Sequence, residues 1–273
     1  MRVLITGAGG QLGHDLVDAL SGEELHAFDH KGLDVANAAA VRQTVERVRP
    51  QVIVNAAAFN DVDGAEKNET AAFAANAEGP AALAAVAASV GARLIHISTD
   101  YVFDGRKGSP YNENDRPNPL SVYARSKYEG EQAVLRSDPS TCVLRTAWLY
   151  GRQGKNFVKA IQAAATRGGP LRVVADQVGS PTATADLATA IVELIRTPAA
   201  GLYHVVNAGA CSRFEFARAI VGDGVEVVPI TTAEAARPAP RPQNSSLVSI
   251  RWASTGIAPL RSWQAALESY LIA

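Results

Sequence analysis

Tyr123 and Lys127 stand four residues apart in Tyr123-Ala124-Arg125-Ser126-Lys127, which heads a run of strong helix formers. On a helix, residues i and i+4 share a face. An ammonium beside a phenol favours the phenolate and is expected to lower its pKa from the reference of about 10. Such a phenol can trade a proton with a carbonyl oxygen near neutral pH. Upstream, Arg93-Leu94-Ile95-His96-Ile97 reads as a buried strand that runs out into Ser98-Thr99-Asp100-Tyr101-Val102-Phe103-Asp104-Gly105. A Thr99 hydroxyl at the strand end is suited to hold that carbonyl oxygen. The Tyr-x-x-x-Lys spacing says little alone, because a half-buried tyrosine and a solvated lysine produce it too. Its meaning depends on the elements that position it.

The first of these is at the N-terminus. Arg2 to Thr6 is a short apolar strand, followed at once by Gly7-Ala8-Gly9-Gly10-Gln11-Leu12-Gly13 and the helical spacing of Leu16, Val17 and Leu20. Strand, glycine turn and helix make a nucleotide-phosphate site: glycines admit the pyrophosphate to the backbone, and the helix N-terminus offers unpaired N–H groups. The spacing here is G-x-x-G-x-x-G on Gly7, Gly10 and Gly13. A second strand, Leu25 to Phe28, ends at Asp29-His30-Lys31. Asp29 suits the ribose hydroxyls of NADH, whereas His30 and Lys31 suit the 2′-phosphate of NADPH, so both cofactors stay open. Asp34 and Val35 precede a helix from about 38 to 49, with Asp34 a candidate adenine contact. Val52-Ile53-Val54 is a third strand, and the small Ala56, Ala57 and Ala58 at its end admit a cofactor close to the backbone. Asn76 lies inside a long alanine-rich helix, where asparagine is mildly unfavourable, and is a candidate for a polar role at the cofactor.

Four strands alternating with helices predict an α/β fold with a Rossmann-type, doubly wound parallel sheet. Thr99 and Asp100 end the fourth strand on the same edge as the glycine turn, where ligands bind. That agreement gives Tyr123 and Lys127 their weight. Residues 1–150 are expected to bind NAD(P) and 151–273 to form a smaller C-terminal substrate-binding lobe, with about 184–210 returning to the main sheet. Trp148, just past a strand over 141–145, can stack on a sugar ring. Arg241, in the proline-rich loop 231–246, can offer its fork to a diphosphate. Ser212 and Glu215 form a capping box, a structural feature.

Composition narrows the function. The chain has 273 residues, 47% hydrophobic and 19% charged, enough for a sizeable core. A net charge of −1 with no basic run argues against nucleic acid. Cys142 and Cys211 show no metal or disulfide spacing, and no metal is assigned. No stretch reads as the roughly 18 apolar residues of a membrane span. A cytoplasmic protein is expected.

The glycine turn, Asn55-Ala56-Ala57-Ala58, Ser98 to Gly105 and Tyr123 to Lys127, with Arg145-Thr146-Ala147-Trp148-Leu149-Tyr150-Gly151 and Asp176-Gln177-Val178-Gly179-Ser180-Pro181-Thr182, resemble the extended short-chain dehydrogenase/reductase family over essentially the whole chain. Within it the likeness is strongest to the branch acting on dTDP-4-keto-6-deoxy sugars. The resemblance implies NAD(P)H-dependent reduction of the C4 keto group of dTDP-4-dehydro-6-deoxy-L-mannose (dTDP-4-dehydrorhamnose) to dTDP-L-rhamnose. It implies Thr99, Tyr123 and Lys127 as the catalytic trio, Thr99, Asp100 and Trp148 around the sugar, with Tyr101 beside them, and Gly10, Gln11, Leu12, Asp29, Asp34, Val35 and Ala56 to Ala58 around the cofactor. Phe59-Asn60-Asp61-Val62-Asp63 departs from the family's usual aromatic followed by threonine. Some members form homodimers through magnesium; Asp15 matches one of the carboxylates involved. Competing readings are a reductase or epimerase of another nucleotide deoxysugar, and a non-catalytic regulatory subunit like that of methionine adenosyltransferase. A dehydratase is disfavoured because Tyr101 stands where it needs a glutamate.

Overall fold

The apolar runs of the first half become strands whose alternate residues face opposite layers. They are β1 (Arg2–Thr6), β2 (Glu24–Phe28), β3 (Val52–Asn55), β4 (Arg93–Thr99) and β5 (Cys142–Thr146). The computed structural model describes residues 1–272, so Ala273, the last residue of the expected lobe, lies outside the described residues. Four short strands follow, β6 (Leu149–Tyr150), β7 (Leu171–Val174), β8 (Val178–Gly179) and β9 (Thr182–Ala183), before β10 (Gly201–His204) returns beside β5. The main sheet is parallel, in the order β10-β5-β4-β3-β1-β2. The order in which successive strands are added reverses between β1 and β3, and crevices for ligands open at such a point.

Helices cover both faces. α1 (Gln11–Ala19) lies on one face and α2 (Ala38–Val48), α3 (Glu69–Val90) and α4 (Val122–Ser137) on the other. After α5 (Phe157–Ala165), α6 (Thr184–Leu194) joins α1: Leu12, Leu16, Leu187 and Ile191 pack on Val3, Ile5, Val54 and Leu144. Leu4, Ile53, Leu94 and Val143 point the other way, onto Val41, Val45, Leu83 and Val134.

One expectation is corrected here. α3 is one helix of 22 residues, long and apolar enough by length and composition to cross a membrane. In the sequence Asn76, Glu78 and Pro80 interrupt its apolar run, but a π turn at Ala74–Glu78 carries the helix through them. Half of its most apolar window is buried inside the fold, as suits a core helix.

The lobe has its own core, in which Tyr150, Val158, Ile161, Leu171, Phe216, Trp263 and Leu267 pack together. β11 (Cys211–Ser212) pairs with β8, α7 (Arg213–Val221) follows, β12 (Val227–Ile230) pairs with β7, and α8 (Trp263–Ile272) completes the described chain. The Ser212–Glu215 capping box forms as read. The 231–246 segment, expected as plain loop, holds a helical turn at Thr232–Ala235, capped by a second box between Thr231 and Glu234. The described Cys142 and Cys211 are free and buried.

Candidate active site

The three glycines of the turn do different things. Gly7 has φ +74°, and a Cβ on it would lie 2.5 Å from the Ala57 nitrogen. A Cβ on Gly13 would lie 2.2 Å from the Gly7 carbonyl oxygen. Both exist so that turn, β3 edge and α1 can close on one another. Gly10 caps α1 without any side-chain hydrogen bond and, with Gln11 and Leu12, faces a cavity of about 310 Å³. The first-turn N–H groups of α1 are thus available to an anion.

The β3 edge is set by a buried relay. The Thr6 hydroxyl donates to Asn55 Oδ1 over 2.7 Å, the Ala57 N–H donates to the same oxygen over 3.1 Å, and Asn55 Nδ2 meets His96 Nδ1 at 3.0 Å. The relay fixes Ala56 to Ala58, of which Ala56 and Ala58 line the cavity.

Thr99, Tyr123 and Lys127 come from β4 and the first two turns of α4, and all three line the same cavity. Ser121 caps α4 through the Ala124 N–H, which fixes where the helix starts and so where Tyr123 projects. Lys127 Nζ donates to the Ile97 carbonyl over 2.6 Å. Burial lowers the Lys127 pKa to about 8, with Glu131 opposing the shift. Tyr123 contradicts the expected lowering. Burial raises its pKa well above 10, Asp100 and Tyr101 add to this, and only a hydrogen-bonding contact from Thr99 opposes it. The cause is geometric: the ammonium is turned to the Ile97 carbonyl, and desolvation of the phenolate dominates. Tyr123 therefore holds its proton. Its ring meets that of Tyr101 edge to face at 5.9 Å.

Asp100 is buried, which raises its pKa to about 6; Ser245 and Thr99 donate to it and, with the Arg213 charge, oppose the rise. Trp148 takes a left-handed backbone, φ +47°, and its ring lies against Gly179, where a Cβ would fall 2.3 Å from Cε2. The Arg213 guanidinium lies 3.5 Å from the Trp148 ring centroid. One indole face, expected to be free for a sugar, is thus already covered.

Other expected site residues sit elsewhere. Asp29 is beside the glycine turn, 3.2 Å from a Cβ built on Gly9, and accepts the Gly32 N–H; His30 and Asp34 are exposed and 3.7 Å apart. Val35 is buried under α3 at Gly79. Asn76 is fully buried, and its amide bonds the Phe59 backbone and Ser126 Oγ, so it holds the loop after Ala58 and does not line the cavity. Arg241 makes a two-pronged contact with Asp63 at 2.9 Å for each prong, which occupies the fork expected to take a diphosphate. A second cation that lines the cavity beside Lys127, Arg213, follows the capping serine, and no spacing in the sequence marked it. Gln11 carries a second function: its side chain binds Gly151, Lys155 and Asn156, tying the glycine turn to the lobe.

The family profile described as RmlD substrate binding domain matches residues 1–273. The chain belongs to this family. It is 46% identical over 284 residues to a dTDP-4-dehydrorhamnose reductase of Mycobacterium tuberculosis, with 100% of this chain and 93% of the relative covered. A Streptomyces antibioticus protein, described as a probable dTDP-4,6-dihydroxy-2-methyloxan-3-one 4-ketoreductase, is also 46% identical, over 98% of this chain and 94% of its own. The crystal structure of a dTDP-4-dehydrorhamnose reductase from Bacillus anthracis in complex with NADP superposes with a TM-score of 0.96 at 42% identity, covering 99% of this chain and 98% of that one. The resemblance read from the motifs and the Rossmann-type fold are thereby borne out.

Proposed function

We propose that the chain is an NADPH-dependent reductase of the C4 keto group of dTDP-4-dehydrorhamnose, forming dTDP-L-rhamnose. The observation that carries this is one cavity whose walls bring Thr99, Tyr123 and Lys127 to the glycine turn, in a chain that matches reductases of this substrate over its full length. The uncapped first turn of α1 fits a pyrophosphate, and Asp29 with His30 beside the turn fits the adenosine ribose. NADPH, supported by the NADP of the Bacillus anthracis neighbour, supplies the hydride when bound. The Thr99 hydroxyl, which donates to Asp100, turns its proton to the sugar's carbonyl oxygen. The neutral Tyr123 phenol gives its proton to that oxygen as negative charge develops there. Lys127, charged below about pH 8, turns from the Ile97 carbonyl to which it donates to stabilise the phenolate left behind.

Residues 1–150 hold the cofactor and the lobe from 151 onward completes the substrate side, with β10 lent back to the sheet; a homodimer belongs to the same proposal. The test mixes protein, NADPH or NADH, and dTDP-4-dehydrorhamnose. Loss of the reduced-nicotinamide absorbance together with dTDP-rhamnose formation is expected, faster with NADPH. Absence of turnover by folded protein would remove the assignment.

A further inference from the structure

Arg213 is a cation that makes no salt bridge among the described residues, although the Asp100 charge acts on it. It opens α7, on the lobe side of the cavity, with its guanidinium 3.5 Å from the Trp148 ring and 4.9 Å from the Phe157 ring. Among the described residues no carboxylate comes within ion-pair distance of it, whereas nearby Arg241 is paired with Asp63 and Lys127 is bound to a carbonyl. Burial lowers its pKa; Tyr101, through charge and a side-chain hydrogen bond, Asp100 and the Cys211 thiol oppose this. Asp100 is already engaged by Ser245 and Thr99. An arginine kept flat against an indole presents its N–H donors at the edge of its plane, in the fork geometry that matches two phosphate oxygens. Partial burial without a paired counter-charge costs free energy that a bound anion would recover. The cofactor's own anion site is on the other side, at Gly10 to Leu12 of the main sheet.

We propose that Arg213 binds the diphosphate of the nucleotide-sugar substrate, and that its stack on Trp148 sets the distance between diphosphate and sugar. This rests on the reading of a nucleotide sugar as substrate. The arrangement explains why the indole face is covered: Trp148 serves as the platform of the arginine.

The experiment measures dTDP binding to the NADPH-loaded protein by calorimetry, for wild type, Arg213→Gln and Arg213→Lys, beside NADPH affinity and steady-state constants for the 4-keto sugar. The Gln variant is expected to weaken dTDP binding and raise the sugar KM about 10- to 100-fold, the size of a lost charge-assisted hydrogen bond. The Lys variant, which keeps charge without the fork, falls between, and NADPH affinity stays within about twofold of wild type in both. Unchanged dTDP affinity in Arg213→Gln overturns the inference, even if kcat drops, because the residue would then only support Trp148. If Arg213→Gln fails to fold, the Lys variant decides alone: unchanged dTDP affinity overturns the inference and weakened affinity supports it. Turnover by the wild type separates the two claims. An active wild type with Arg213-independent dTDP binding sinks the inference alone; an inactive wild type with Arg213-dependent dTDP binding sinks the reductase reading alone.

Discussion

Replacing Gly13 with alanine puts a methyl carbon 2.2 Å from the Gly7 carbonyl oxygen and 2.6 Å from the Ala8 Cα. Contacts of a real Cβ essentially never fall below 3.0 Å, so the turn or α1 must retreat by close to an ångström. Neither is free to do so, because the atoms met are backbone and α1 is anchored by Leu12 and Leu16 in the core. Overpacking costs about 1–3 kcal/mol, and backbone against backbone belongs at the upper end. At roughly 2–4 °C per kcal/mol for proteins near this size, Tm falls by roughly 6–12 °C. Gly10→Ala is the contrasting change. Its φ is −82°, and the new methyl meets only the Gly7 oxygen within 4 Å, at 3.2 Å, so it projects into the cavity that Gly10 lines. A cap lost or gained there is worth about 1 kcal/mol, so Tm moves by a few degrees while NADPH affinity falls at least about tenfold, since one carbon stands where the pyrophosphate approaches. Thermal melts and a fluorescence titration with NADPH read both effects. A Gly13→Ala protein melting with the wild type, or a Gly10→Ala protein that keeps full NADPH affinity, would refute the division of labour among the glycines.

Two further outcomes are expected. kcat/KM should decline above about pH 8 as Lys127, whose pKa burial has lowered to that value, releases its proton; Lys127→Arg should lower the rate and remove this limb, and an unchanged limb in that variant would assign it to another group. Glu131→Gln should lower Tm by at least about 6 °C, because the Arg145 charge it neutralises is 2% exposed and a buried charge stripped of its partner costs about 3–5 kcal/mol; a melt within a degree of wild type would contradict that burial argument.

The parts of the site that depend on backbone path were legible in the sequence. Strand, glycine turn and helix follow from Arg2 to Leu20, and the strand ends at Asn55 and Thr99 follow from apolar runs breaking into small or polar residues. Thr99 reaches the glycine turn because parallel strands share one carboxyl edge, and α4 brings Tyr123 and Lys127 to the same cavity. What escaped depends on where side chains turn. The i,i+4 spacing of Tyr123 and Lys127 gave no sign that the ammonium binds the Ile97 carbonyl or that desolvation would outweigh its charge. Arg241 looked free because Asp63 is 178 residues away in sequence. Asn76 looked like a ligand contact because a mid-helix asparagine needs a reason, and the reason is the Phe59 backbone. Arg213 carried no motif; only the packing of the lobe against Trp148 brings it to the cavity.

The central claim is that the Tyr123 phenol supplies the proton. The most direct measurement compares wild type and Tyr123→Phe under saturating NADPH and dTDP-4-dehydrorhamnose, with NADPH affinity determined in parallel. The account predicts a kcat lower by about 10²- to 10⁴-fold, the usual share of a general acid, with NADPH affinity unchanged. A Tyr123→Phe protein that turns over at close to the wild-type rate would contradict it.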